Sequence, residues 1–153
     1  MAGDCGTCTM CCKLLGITEL KKPKNKLCEH CSIGVGCKIY HERPESCRAF
    51  KCIWLQTQIL GRDAFPLSMR PDKSKVVLHL TPDEKNVVAK VDPNYPLAWT
   101  KKGISDALAV FSDKFLVLID NGKRYWVIEK RGVREIRMSV ADADGIEHFE
   151  GYV

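Results

Sequence analysis

The sequence predicts an α+β protein in which a small cysteine-rich unit packs on a mostly antiparallel sheet with one main helix. Three observations lead to this class. All nine cysteines lie within the first 52 positions of a chain of 153 residues. Residues 61–75 contain glycine, two prolines and several charges, which predicts a connecting loop. The residues beyond them alternate as strands do, around one helical pattern. We therefore expect two units, residues 1–55 and residues 62–153.

The cysteine-rich unit has few secondary-structure signals. Residues 9–17, TMCCKLLGI, predict one short helix. The lysine-rich stretch over residues 19–26 predicts a solvated loop. Residues 41–60 predict a turn that leads into a helix, with Pro44 at the first helical position, where its missing N–H costs nothing.

The second unit shows a clearer rhythm, in the order β-β-α-β-β-β. Its predicted strands are residues 75–80, 86–91, 114–119, 123–129 and 133–140. Apolar residues on one helical face predict a helix over residues 97–112. Asn121-Gly122 is a strong signal for a two-residue hairpin turn. A single helix on such a sheet is typical of the α+β class.

Composition narrows the compartment and the class. Hydrophobic residues make up 45% and charged residues 28%, as in ordinary globular domains. The first residues show no signal-peptide pattern, and no apolar run is long enough to span a membrane. We therefore expect a cytoplasmic protein. Thiols stay reduced in the cytoplasm, so a cysteine cluster there is more often metal-binding or redox-active than disulfide-bonded.

The cysteine spacing predicts zinc sites. Cys5 and Cys8 form one C-x2-C knuckle, and Cys28 and Cys31 form another, at a separation typical of a four-cysteine zinc site. The remaining cysteines predict a second site, made by Cys37, Cys47 and Cys52 with either Cys11 or Cys12. This allocation is one of several that the spacing allows. Of the adjacent pair, we favour Cys12 as the ligand. We expect two zinc ions and a metal-stabilised unit, because so few apolar residues cannot form a sufficient core.

An iron–sulfur cluster is the first alternative. Cys5, Cys8 and Cys11 have the C-x2-C-x2-C spacing that opens a ferredoxin-type motif. The usual next step is absent because Cys12 follows directly, so a remote cysteine such as Cys28 or Cys47 would close the site. Thiols that bind no metal and serve as structural or reactive groups are a further alternative.

Two motifs resemble a known family. CGTCTMCC at residues 5–12 and GCKIYHERPESCRAFKC at residues 36–52 resemble the YkgJ-like cysteine-cluster proteins, described as zinc- or iron-chelating domains. The likeness covers residues 3–54 and implies nothing for residues 62–153. His41 departs from the acidic residue that the family tends to have after the tyrosine. The resemblance implies chelation by seven cysteines, with Cys31 and Cys52 as additions: Cys5, Cys8, Cys11, Cys12, Cys28, Cys37 and Cys47.

Other polar residues are weaker candidates. His30 lies inside the second knuckle and could replace a cysteine as ligand, and His41 follows Cys37 by four residues, beside the predicted second site. Arg43 is a candidate hydrogen-bond donor to coordinated thiolates, equally well explained as a loop salt bridge. We interpret the other titratable residues that stand out as surface, core or turn residues: His79, Asp142, Asp144, Glu147 and His148.

The remaining function classes have little support. The formal net charge of +5 falls to about +1 if eight thiolates bind two zinc ions, and the lysines are scattered, so nucleic acid is a poor partner. No common catalytic motif is present, and enzymatic activity stays open. The sequence thus predicts a zinc-chelating cytoplasmic protein. The alternatives are an iron–sulfur protein with a redox or group-transfer function and a zinc-stabilised adaptor that binds protein or nucleic acid.

Overall fold

A computed structural model describes residues 5–130, 132–138 and 149–152, and it confirms an α+β chain with a mostly antiparallel sheet. A small hairpin precedes the main sheet and consists of β1 (Cys31–Ser32) and β2 (Gly36–Cys37). The six described strands of the main sheet are β3 (Val76–Leu80), β4 (Asn86–Val91), β5 (Leu116–Asp120), β6 (Tyr125–Glu129), β7 (Gly132–Met138) and β8 (Phe149–Tyr152).

The strands of the main sheet lie in the order in which they occur along the chain. Neighbours are antiparallel except β4 and β5, which are parallel because a helix crosses between them. The strand predicted over residues 133–140 corresponds to β7, and residues 139 and 140 lie outside the described residues. The hairpin of β1 and β2 and the last strand had no signal that we recognised in the sequence.

Five α-helices occur among the described residues: α1 (Met10–Leu14), α2 (Glu45–Ala49), α3 (Ile53–Leu60), α4 (Pro71–Ser74) and α5 (Lys102–Phe111). The single helix predicted within residues 41–60 is two helices. Phe50 has an extended backbone, and the sulfur of Cys52 caps α3 by accepting a hydrogen bond from the Leu55 N–H. The predicted loop over residues 61–75 contains α4 and a short 3₁₀ turn at Leu67–Met69.

The hairpin signal at Asn121-Gly122 is confirmed. The Asn121 side-chain oxygen accepts hydrogen bonds from the N–H groups of Lys123 at 3.0 Å and Arg124 at 2.8 Å. Gly122 has a φ of 86°, and a Cβ there would lie 2.7 Å from Cγ of Pro93. Glycine is therefore required both by the left-handed backbone and by the close approach.

The two faces of the main sheet differ in chemistry. One face packs against α5 and forms an apolar core, whose buried members include Val76, Leu78, Val87, Ala89, Val91, Ile104, Leu108, Val117 and Ile119. The opposite face presents Val77, His79, Lys90 and Asp120 to the cysteine-rich segment. Because side chains alternate along a strand, β3 serves both faces.

The cysteine-rich segment contacts the sheet directly. Met10 and Leu14 of α1, Cys52 and Leu55 pack with Val77 in one buried cluster. Nearby, Nζ of Lys13 lies 2.8 Å from a carboxylate oxygen of Asp92, which is buried. Within the described residues, no helix has the length and apolarity needed to cross a membrane.

Candidate metal centre

Two tight turns shape the predicted knuckles. The Cys8 N–H donates to the Cys5 carbonyl at 3.0 Å, and the Cys31 N–H donates to the Cys28 carbonyl at 3.0 Å. Each C-x2-C segment therefore folds back over three residues, which brings its two cysteines to one side of the turn. The local geometry expected of the spacing is present in both.

Four cysteines from three parts of the chain are neighbours, and we call Cys12, Cys28, Cys31 and Cys47 the sulfur tetrad. The Cys28 N–H donates to the carbonyl of Cys12 at 3.0 Å. Cys12 and Cys31 lie within electrostatic range of each other. Cys47 lies within electrostatic range of both Cys12 and Cys28. The end of α1, the second knuckle and α2 thus converge.

Two further cysteines flank the tetrad. Cys11 is hydrogen-bonded through its side chain to Cys12. Cys37 stands opposite Cys31 in the hairpin of β1 and β2 and lies within electrostatic range of Cys47. Of the adjacent pair, Cys12 contacts the second knuckle through its backbone, because its carbonyl accepts the Cys28 N–H.

The other three cysteines lie elsewhere. Cys52 is buried beside Leu55, and both Cys5 and Cys8 pack against the same cluster. Cys8 and Cys52 lie within electrostatic range of each other. The sulfur of Cys8 accepts hydrogen bonds from the backbone N–H groups of Met10 and Asp72. The Cys5–Cys8 knuckle and the Cys28–Cys31 knuckle, which were predicted to share one zinc ion, thus lie in different groups. The predicted second site is also divided, because Cys47 belongs to the tetrad and Cys52 does not.

An ion pair stands beside this second group. Nε of Arg70 lies 2.5 Å from a carboxylate oxygen of Asp72, and the Arg70 guanidinium donates to the Thr7 hydroxyl at 3.2 Å. Cys5 and Cys8 lie within electrostatic range of the Arg70 guanidinium. The guanidinium therefore carries positive charge next to the two thiols.

The electrostatics favour neutral thiols in the metal-free chain. Burial raises the pKa of Cys31 to about 11 and also raises the pKa of Cys47. The hydrogen bond with Cys11 is the main cause that raises the pKa of Cys12. Burial likewise raises the pKa values of Cys8 and Cys52. A metal that binds these sulfurs therefore has to displace their protons.

A cleft of about 1670 Å³ is lined by three tetrad cysteines, Cys12, Cys28 and Cys47, and by sheet residues that include Lys90 and Asp120. On the sheet side, Nζ of Lys90 lies 2.5 Å from a carboxylate oxygen of Asp120, with both side chains almost fully buried. The second Asp120 oxygen accepts the Gly122 N–H at 2.8 Å. This buried pair was not recognised in the sequence, although Lys90 at an inward position of an apolar strand was a usable signal.

The weaker candidates take local roles. His30 lines the cleft, with its ring 3.5 Å from the carboxylate of Glu29. The His41 ring meets Tyr40 edge to face at 5.6 Å. Arg43 also contacts Tyr40, with its guanidinium 3.8 Å from the ring centre and Nε 2.9 Å from the carbonyl. The predicted turn residues Asp142, Asp144 and Glu147, with His148, lie outside the described residues.

The nine cysteines all lie within the described residues, and no disulfide links them there. Among the same residues, no three Cys, His, Asp or Glu side chains are already arranged as a metal-binding group. The thiols of the tetrad are neighbours whose sulfur atoms do not yet share one centre. Their donor chemistry, four soft sulfur atoms, matches zinc and iron–sulfur clusters.

No family model, curated protein or solved structure matches this chain. The resemblance of residues 3–54 to the YkgJ-like cysteine-cluster proteins therefore stays a prediction, carried by the CGTCTMCC and GCKIYHERPESCRAFKC motifs.

Proposed function

We propose that the chain is a zinc-chelating cytoplasmic protein whose principal site is the sulfur tetrad. The observation that carries this proposal is the convergence of Cys12, Cys28, Cys31 and Cys47 from separate parts of the chain. Four thiolates are the usual ligand set of a closed structural zinc site.

The grouping of the sulfurs favours zinc over a ferredoxin-type cluster. Such a cluster would take Cys5, Cys8 and Cys11 together as its opening ligands. In this chain Cys8 lies beside Cys52, whereas Cys11 is hydrogen-bonded to Cys12. The C-x2-C-x2-C spacing therefore gives less support to an iron–sulfur cluster. The Cys28–Cys31 knuckle belongs to the tetrad, as a zinc site requires.

A closed site made entirely of sulfur stabilises a fold rather than activating water. Zinc bound to the tetrad would tie α1, the β1–β2 hairpin and α2 together. Cys5, Cys8 and Cys52 are the ligands that we propose for the second zinc ion, beside Arg70. Metal ligation requires thiols that can lose their protons and that are not oxidised to disulfides. The proposed location is therefore the cytoplasm, where thiols stay reduced.

Metal analysis of protein purified without air tests the proposal. We expect zinc with neither visible absorption nor acid-labile sulfide. Replacing any tetrad cysteine, for example Cys28→Ser or Cys47→Ser, should remove the same zinc ion from the protein. Cys52→Ser is the matched control, because Cys52 is equally buried but belongs to the other group. It should leave the tetrad zinc in place.

Three outcomes would contradict the proposal in different ways. Brown protein that contains iron and sulfide in place of zinc would establish the iron–sulfur alternative. Loss of all metal from Cys28→Ser and from Cys52→Ser alike would indicate one shared cluster. Protein that binds no metal at all, with its thiols open to alkylation, would leave the cysteines as structural or reactive groups.

A further inference from the structure

The face of the main sheet that lines the cleft carries two rows of side chains across neighbouring strands. Residues that are paired across a sheet point to the same face, so the strand register defines each row. One row crosses β3, β4 and β5 with His79, Val88 and Leu118. The other row crosses β3 to β7 with Val77, Lys90, Asp120, Tyr125 and Ile136. All of these residues line the cleft.

The middle of this face is apolar and incompletely covered. Val88 and Leu118 are direct neighbours on β4 and β5, which have a strand on either side, yet both residues are only half buried. Their chain neighbours Val87 and Val117 point to the opposite face and are fully buried there. Apolar surface left open in a large cleft is typical of a ligand-binding site.

The cleft is also cationic. Among the described residues that line it, the lysine, arginine and acidic side chains are Lys21, Lys22, Lys24, Arg43, Lys90 and Asp120. Lys90 and Asp120 neutralise each other at 2.5 Å, so the remaining four cations lie on the wall formed by the cysteine-rich segment. Zinc bound to four thiolates would add a net charge of −2, which leaves the excess positive. The charge of the cleft therefore favours a negatively charged ligand.

The cations of this wall differ in exposure. Lys22 is buried, and its ammonium donates hydrogen bonds to the backbone carbonyls of Leu15 and Pro23. Lys21 and Lys24 are exposed lysines that line the cleft. Because a lysine carries its ammonium on a flexible stem, these two can reach an anionic group that enters from solvent.

We propose that the cleft binds an amphiphilic carboxylate, with its aliphatic chain on Val88 and Leu118 and its head group at Lys21 and Lys24. The cleft volume of about 1670 Å³ exceeds the roughly 300–1,000 Å³ of most small-molecule pockets, which favours a long chain over a compact metabolite. Contact of the chain with the sheet supplies affinity, and the lysines select the negative head group. This site goes beyond zinc chelation and uses none of the proposed zinc ligands.

Three probes test the two parts of this recognition on the full chain. Dodecanoate has the chain and the carboxylate, dodecyltrimethylammonium has the same chain with a positive head group, and butyrate has the carboxylate without the long chain. Calorimetry gives the affinities, with each amphiphile kept below its micelle concentration. We expect dodecanoate to bind at least about tenfold more tightly than either of the others. In NMR spectra it should shift the backbone amides of Val88 and Leu118 and leave those of α5, on the opposite face, unchanged.

Substitution of the two exposed lysines tests the position of the head group. The double variant Lys21→Gln/Lys24→Gln should bind dodecanoate about tenfold more weakly, because hydrogen bonds to a charged group contribute at least that factor. Lys26→Gln is the matched control, since Lys26 is an exposed lysine of the same stretch that does not line the cleft. It should bind dodecanoate as the unaltered protein does.

Three results would overturn the proposal. Equal binding of dodecanoate and either of the other probes would show that chain and charge are not recognised together. Equal affinity of the Lys21→Gln/Lys24→Gln and Lys26→Gln variants would show that the head group does not lie at Lys21 and Lys24. If the unaltered protein does not bind dodecanoate, the cleft is not a site for amphiphilic carboxylates. Adenosine monophosphate, tested in parallel, would then indicate a nucleotide site if it shifts the same amides.

Discussion

The cysteine-rich segment and the main sheet bury different kinds of side chain. In the sheet and α5, the interior consists of Val, Ile, Leu and Ala residues that are almost fully enclosed. In residues 5–52, the buried groups include Met10, Leu14 and Ile17, together with Cys28, Cys31 and Cys52. Apolar packing therefore stabilises the sheet region, whereas several of the side chains buried in the cysteine-rich segment are thiols, which can also bind a metal.

The same contrast appears in the regular structure. The cysteine-rich segment contains helices of five residues and strands of two, which are too short to be stable alone. The strands of the main sheet have four to seven residues and form continuous ladders. Three predictions test whether the two regions are stabilised in these different ways.

Removing the metal should have the largest effect. A strong chelator should unfold residues 5–55, because ligation supplies the energy that so few apolar contacts cannot. The strands of the main sheet should keep most of their protection. Hydrogen exchange measured by mass spectrometry follows both regions, and restoring zinc is the control. Unchanged exchange in both would show that metal does not stabilise the segment, and loss in both would show that the sheet depends on it.

Breaking the buried ion pair of the sheet should have a smaller but still large effect. Asp120→Ala leaves the Lys90 ammonium buried without its partner, so we expect the free energy of unfolding to fall by about 3–5 kcal/mol. The double variant Lys90→Met/Asp120→Leu should recover most of this loss. Urea unfolding provides the measurement. Lys102→Ala, at an exposed ion pair with Asp106, is the control and should leave the free energy of unfolding almost unchanged.

If Asp120→Ala changes stability no more than Lys102→Ala does, the pair does not hold the polar face of the sheet together. Zinc content should stay unchanged in every one of these variants, because none of the substituted residues is a proposed zinc ligand.

The smallest effect concerns His79, which joins the two regions. Its ring lies 5.5 Å from that of Phe50, and burial lowers its pKa, with Lys90 and Lys24 acting in the same direction. The unfolded chain then binds a proton more readily than the folded chain. The stability due to neutral His79 is therefore complete above the ordinary pKa, about 6.5, and is lost as the pH falls below it.

We expect His79→Phe to lose less stability than the unaltered protein between about pH 7.5 and pH 5.5. Denaturant unfolding at both values gives the difference, in which contributions from the thiols cancel because both proteins share them. His41→Phe is the control, since His41 is exposed. An identical decrease in all three proteins would show that His79 is not held neutral by the fold.

Much of the sheet region could be predicted from local patterns. The strand over Asn86–Val91 has the predicted bounds, and the turn at Asn121-Gly122 is where its residues place it. The helix predicted over residues 97–112 is shorter, because Lys101 has an extended backbone and α5 begins after it. The prediction of one helix within residues 41–60 was wrong, because Phe50 has an extended backbone and Cys52 caps the start of a second helix. The boundaries at residues 55 and 62 stay predictions.

The sequence by itself determined the α+β class, the two tight C-x2-C turns and the confinement of the cysteines to one segment, because each depends on residues close together in the chain. Only the tertiary structure decided that Cys8 packs against the cluster that contains Cys52, that Cys28 lies next to Cys12, and that Lys22 is buried. Those neighbours depend on how α1 and α3 pack against β3 and on where the intervening chain returns. Spacing along the chain carries no information about such crossings, since side-chain packing between distant segments sets them.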